Sequence, residues 1–227
     1  MEPVESIDYM HDVEPAPGRL ELVRRFVNTV DYEHGREVLH STERLKALLV
    51  ELGLIDSGTR VTETNLECAL ELREGLRRLA LANNGAAADT ILEAELVVRI
   101  DGRDGALEPP RRTADGALAD LVGIVYTAMA DGTWSRVKAC RRDVCQWLFY
   151  DRSRNRSAVW CQMAVCGNRT KTKAYRDRSA PGTNRSSVSH SPTTASAAPA
   201  SARKTPPGPG IVSAKKCRVP GAATTSA

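Results

Sequence analysis

The sequence predicts an α+β chain: a mainly helical N-terminal domain with a small β-hairpin, then a compact cysteine-bearing module and a disordered tail. Three observations predict it. Leu, Val and Ala recur at helical spacing through most of the first 132 of 227 residues. The period shortens to β-branched runs only around residues 96–108. Cys140, Cys145, Cys161 and Cys166 form two C-x4-C pairs on a short stretch. The expected boundaries are a flexible segment at 1–18, the helical domain at 19–135, the cysteine module at 136–180 and the tail at 181–227.

The elements follow in order. Leu20, Val23, Phe26, Val27 and Val30 share a helical face over residues 19–31. Ser41 can cap a second helix whose face is Leu45, Leu48, Leu49 and Leu52, with Gly53 closing it. Thr64 and Glu67 have capping-box spacing for a third, longer helix. Its stripe is Leu66, Ala69, Leu70, Leu76, Leu79 and Ala80, ending at Asn83, Asn84 and Gly85. A weak helical pattern starts near Asp89. Leu96–Ile100, the turn residues Asp101, Gly102, Asp104 and Gly105, and Ala106–Glu108 read as a hairpin, stopped by Pro109 and Pro110. Asp115 can cap a last helix with Leu118, Leu121, Val122, Val125 and Met129 inward, ending near Gly132.

In the cysteine module, Cys140–Cys145 reads as a tight knuckle. Gln146–Asp151 reads as a strand and Ser153–Ser157 as a polar bend. A helix is expected from Ala158 through Cys161 and Cys166 to about Arg178. The three tryptophans, Trp134, Trp147 and Trp160, fall in or beside this module and can supply its small core. After Ala180, Ser, Thr, Ala, Pro and Gly dominate without an aromatic residue, a composition that cannot offset the entropy of ordering.

The cysteine spacing carries the chemistry. Six Cys in 227 residues give only about 0.16 chance C-x4-C pairs, so two in tandem are not compositional accident. Two such pairs let one chain wrap four thiolates around a tetrahedral zinc ion, although four intervening residues are at the long end of the usual loop. The alternatives are two disulfides or four unrelated buried thiols. The N-terminus is acidic, with no basic region leading into an apolar run, and no stretch reaches the roughly eighteen apolar residues of a membrane span. A cytoplasmic protein without membrane contact is expected, and reducing surroundings favour metal over disulfides. A closed four-thiolate site has no open coordination position, so one Zn2+ would be structural. Cys68 lies in a helical pattern as a small core residue, and Cys217 in the tail.

The net charge of +4 hides a division. Residues 1–135 hold 25 acidic and 14 basic side chains, residues 136–185 hold 3 and 13, and residues 186–227 hold none and 5. An acidic body joined to a basic module points to a polyanionic partner, most often nucleic acid. Arg169, Lys173 and Arg176 share one helical face, flanked by Lys171 and Arg178, and Arg152, Arg154 and Arg156 sit in the preceding bend. A solvated charged face is the plainer reading of the same residues. Catalysis is not expected. The four His, at positions 11, 34, 40 and 190, form no H-E-x-x-H pattern, and no phosphate loop or G-x-S-x-G elbow occurs.

The stretch Trp147–Arg178 resembles the CGNR zinc-finger family, whose signature stands here as Cys166, Gly167, Asn168 and Arg169. The W-x-F-x-D strand, the S-R-N-R bend and W-C-x-M-x-x-C-G-N-R match as well. The preceding part is similar to the ABATE domain, through FVNTVD, the LxxLLxELGL helix, the LREGLRRL helix and the hairpin. The resemblance covers residues 19–178; the long tail lies outside it. It implies a treble-clef-like or ribbon-like finger on Cys140, Cys145, Cys161 and Cys166. It also implies a stress-related, bacterial-type, DNA-binding transcription regulator whose N-terminal domain senses a small-molecule or protein ligand or forms a homodimer. Gly167 would allow close backbone approach. Asn168 and Arg169 would either lock the finger or contact nucleic acid, and Asn28 and Thr29 would either line a ligand pocket or pin a helix end. A module docking protein or RNA through the same basic face is the alternative.

Overall fold

The computed structural model describes residues 13–87 and 89–179, apart from the side chains at 174 and 177–179 in the last helix. The tail at 181–227, Cys217 and most of the 1–18 segment lie outside the described residues. The chain is α+β, with five helices and three two-stranded antiparallel sheets among the described residues.

Helix α1 (Leu20–Val27) buries Leu20, Val23, Phe26 and Val27. A hairpin that periodicity did not announce follows it: β1 (Val30–Asp31) pairs with β2 (Arg36–Glu37). Two-residue strands are too short to set a period. Its turn is built by Asp31, whose carboxylate accepts from the backbone N–H of Glu33 (3.0 Å) and His34 (3.2 Å), and by Gly35 at φ +63°. Helix α2 (Thr42–Glu51) is capped by Ser41, which accepts from Arg44 N at 3.3 Å, and is closed by Gly53 at φ +69°, as expected.

Helix α3 (Glu63–Ala82) starts one turn-half earlier than expected. The capping box is Thr62 with Asn65, not Thr64 with Glu67. Asn65 serves better because its amide works both ways: Oδ1 accepts from Thr62 N at 2.9 Å while Nδ2 donates to Asp115 on the next helix at 2.5 Å. The buried stripe is Leu66, Ala69, Leu76 and Ala80, and it also carries Arg73 and Arg77. Cys68 is half-buried against the core. The weak helix near Asp89 does not form. Residues 89–96 instead run without regular structure over α3, where Leu92 occupies the space that a Cβ at Gly75 would need.

The predicted hairpin is β3 (Val97–Asp101) with β4 (Asp104–Glu108), in the register Val98↔Leu107 and Ile100↔Gly105. Helix α4 (Ala114–Ala130) is capped by Thr113, which accepts from Gly116 N at 3.1 Å. Asp115 is not the cap; it receives Asn65. Leu118, Leu121 and Val125 point inward, but Met129 is exposed, because at the last turn Ala128 rather than Met129 faces the core. Strands β5 (Val137–Ala139) and β6 (Leu148–Tyr150) pair antiparallel, and helix α5 (Asn168–Ser179) ends the described chain.

One core joins α1 to α4, and Trp134, Val137, Ala139 and Leu148 belong to it. The cysteine module therefore roots in the helical body. No described helix is long and apolar enough to cross a membrane.

Candidate metal centre

The β5–β6 pair carries the first two cysteines at its tip. Cys140 N donates to Trp147 O at 3.0 Å, extending the ladder by one rung. Between them the chain folds tightly: Cys145 N and Gln146 N both reach Arg142 O, at 2.8 and 3.1 Å, and Gln146 takes φ +49°. The second arm lies alongside, with Arg141 N bonded to Val159 O at 3.1 Å. Cys161 stands before any helix, contrary to the expectation of one from Ala158. The helical path begins with a single π turn, Met163–Gly167, in which Gly167 N reaches back to Gln162 O at 3.2 Å. That wider turn swings Cys166 toward the other three sulfurs before α5 continues. At Gly167 the Met163 Sδ lies where a Cβ would go, with Trp160 close behind, so a larger residue there would have to displace the Met163 side chain.

The four sulfurs lie within 4.8 Å of one another, with Cys145–Cys161 at 3.6 Å and Cys161–Cys166 at 3.7 Å. Four thiolates about 2.3 Å from a central zinc stand ~3.8 Å apart, so the arrangement fits a tetrahedral ion. Cys140, Cys145 and Cys166 are buried and Cys161 half-buried. The Cys145 and Cys161 thiols donate to Cys140 and hold it well below the usual thiol range, while hydrogen bonding to Cys140, burial and its charge drive Cys145 and Cys161 upward. A divalent cation removes that conflict by accepting all four as thiolates. The Arg142 and Cys161 backbone N–H groups point at Cys140 and that of Trp147 at Cys145, as a knuckle should.

Around this centre the body holds the module by polar contacts. Asn28 mimics a strand residue: its Nδ2 donates to Leu148 O at 3.0 Å and its Oδ1 accepts from Leu148 N at 2.8 Å. Thr29 donates to Phe26 O at 2.9 Å and accepts from Arg73 at 3.3 Å. Both residues are buried, and these bonds pin the end of α1 to β6 and α3. Asn84 donates to Ala139 O (2.8 Å) and Val159 O (3.0 Å), bracing both arms of the finger. Arg77, fully buried, bridges Val27 O at 2.7 Å and Gln146 O at 2.8 Å. Arg142 forms a two-pronged pair with Glu33 at 2.6 and 2.9 Å, and Arg169 reaches the same carboxylate at 2.6 Å. The hydrogen bond from Arg142 holds the Glu33 carboxyl below the usual glutamate range.

No local pattern marks the long-range partners of Glu33, Arg77, Asn84 or Lys138. Lys138 is buried, donating to Asp151 at 2.7 Å and to Arg156 O and Ala158 O at 2.6 and 3.0 Å. Burial alone would raise the Asp151 carboxyl, but the Lys138 hydrogen bond and those from Ser153 hold it low. This pair shapes the polar bend. The aspartate of W-x-F-x-D was its one visible sign.

The basic residues divide in two. Arg152 bonds Pro15 O and pairs with Glu14, Arg156 reaches Ser135, and Asn168 donates to Ala164 O at 3.1 Å. With Arg169, these are engaged by the protein itself. Arg154, Lys171, Lys173 and Arg176 are exposed. The Arg178 side chain lies outside the described residues.

A knuckle-bearing hairpin closed by a ligand-bearing helix defines a treble-clef-like zinc finger, here set on a helical body. Two family models match the chain in that arrangement. Residues 20–132 match ABATE, described as "Putative stress-induced transcription regulator", and residues 136–179 match the CGNR zinc finger. The chain belongs to the ABATE and CGNR zinc-finger proteins, and its four close cysteines are the donor set for one zinc ion. No curated protein matches it.

Proposed function

We propose that this chain is a cytoplasmic DNA-binding transcription regulator that contacts duplex DNA through α5. One observation carries the reading: α5 springs from the cysteine centre and holds Lys171, Lys173 and Arg176 exposed, with Asp177 its only acidic residue. Among its described side chains this helix buries no apolar face, so packing does not account for it. A metal-rooted helix rich in cations is suited to phosphate contact along a groove. Arg154, exposed in the preceding bend, adds a further cation to the finger. Arg169, Arg142 and Glu33 make the joint between finger and body, through which a ligand or second subunit at the N-terminal domain would act.

The test is a titration of the zinc-loaded chain with duplex DNA over a salt series. Affinity should fall steeply with salt, by a log–log slope of about −0.9 per phosphate neutralised. Lys173→Ala and Arg176→Ala should each flatten that slope by about one contact. Failure to bind any duplex at low salt overturns the proposal. Stronger competition by structured RNA would reassign the helix to RNA.

A further inference from the structure

The β3–β4 hairpin leaves one edge of its sheet open. Leu107 on β4 and Leu96, just before β3, rest on α4 at Gly123. This fixes the base of the hairpin, while the rest of β3 stands clear. Val98 is 67 % exposed and Ile100 75 % exposed, although period-two alternation puts both on the same face as Leu96. Tyr126, one turn beyond Gly123 on α4, is 61 % exposed. The turn between Asp101 and Asp104 has two residues. Its closing pair is hydrogen-bonded, so Arg99 and Asp101 spend their backbone groups on β4 while Val98 and Ile100 turn theirs outward. Among the described residues no strand pairs with that outer edge. β3 carries no proline, and its two charged residues, Arg99 and Asp101, are of opposite sign, so they guard the edge against strangers without opposing a second copy.

We propose that this edge is a homodimer interface, with β3 of two copies pairing antiparallel about a two-fold axis at Ile100. The order of charges on β3 selects a second copy as the occupant. In that register Ile100 lies opposite its own symmetry mate. Arg99 falls opposite Asp101 of the second copy, and Asp101 opposite its Arg99, so the strand is complementary to itself. Val98 then faces Gly102, which leaves room for it. Moving the axis to Arg99 sets two arginines directly opposite each other, which is unfavourable. The resulting four-stranded sheet covers both outward ladders and brings the two Val98–Ile100 faces together beside Tyr126. A symmetric pair is the commonest oligomer, and its contact is isologous, as here. The proposal does not depend on the DNA reading.

The experiment is sedimentation of the full chain over a concentration series, with four variants. The wild type should dimerise and Ile100→Lys should be monomeric, with an unchanged circular dichroism spectrum. Arg99→Asp and Asp101→Arg should each weaken association by ~10-fold or more, since each places like charges opposite one another twice. The double variant Arg99→Asp with Asp101→Arg should restore it. A wild type that stays monomeric overturns the proposal, as does a dimer that survives Ile100→Lys. If the double variant associates no better than the singles, the register is wrong.

Discussion

The helical body and the finger are held together by different means. In the body, Phe26, Leu45, Leu49, Leu76 and Leu121 are shielded from water in one apolar core. In the finger beyond its root, the buried cluster is Cys140, Cys145, Cys166 and Trp147, with Trp160 and Cys161 beside it. That is too little apolar surface to sustain a fold. The four sulfurs and the body's amides and guanidiniums make up the difference. The body folds by exclusion of water, while the finger folds by coordination and by bonds supplied from across the joint.

Loss of the metal should separate the two regions most. Chelation, or Cys166→Ser, should unfold residues 140–179, a loss on the scale of about 10–16 kcal/mol of metal binding. Hydrogen exchange should show protection lost there and kept in α1–α3; loss everywhere would make the body dependent on zinc as well. Next is Phe26→Ala, which should cost about 3–5 kcal/mol. Trp147 fluorescence should report unfolding of the finger at the same lowered denaturant concentration, because the finger roots in that core. Asn28→Ala comes third. It leaves the Leu148 N–H and C=O unpaired in a buried place, for about 2–4 kcal/mol, and zinc affinity should fall with it.

Smaller still is Glu33→Gln. A carboxyl whose folded pKa lies below its unfolded value stabilises fully above the unfolded value, about 4.3 for glutamate, and less as the pH falls through the folded one. The stability gap between wild type and this variant should be constant at neutral pH and close in acid. A gap that persists unchanged at low pH would mean the clamp acts by shape alone. Least of all is Arg176→Ala, which should move stability by no more than about 0.5 kcal/mol while weakening duplex binding. A large loss of stability would mean α5 packs against something.

Much of this was legible in the sequence. The four sulfurs were visible because metal chemistry demands one residue type at near-fixed spacing. Helices α2 and α4 and the β3–β4 hairpin were visible because a half-buried element imprints its period on the chain. The caps of α3 and α4 were missed by two residues because several neighbouring hydroxyls and carboxylates offer the same chemistry, and packing chose among them. Arg77 and Glu33 stayed hidden for another reason, and Asn28 and Asn84 were visible only as helix-end residues, without their partners. Each acts on a backbone group or side chain far along the sequence, and no local pattern records such a partner. Arg73 and Arg77 even misdirect, since a buried arginine is spelled like a solvated one.

Asn84 sets a practical limit on how this molecule can be dissected. Its carboxamide spends both hydrogens on carbonyls of the two finger arms, so a fragment cloned from residue 136 onward would lose that brace together with those of Asn28 and Arg77. The finger is not a portable cassette, and grafting experiments must carry the C-terminal end of α3 with it.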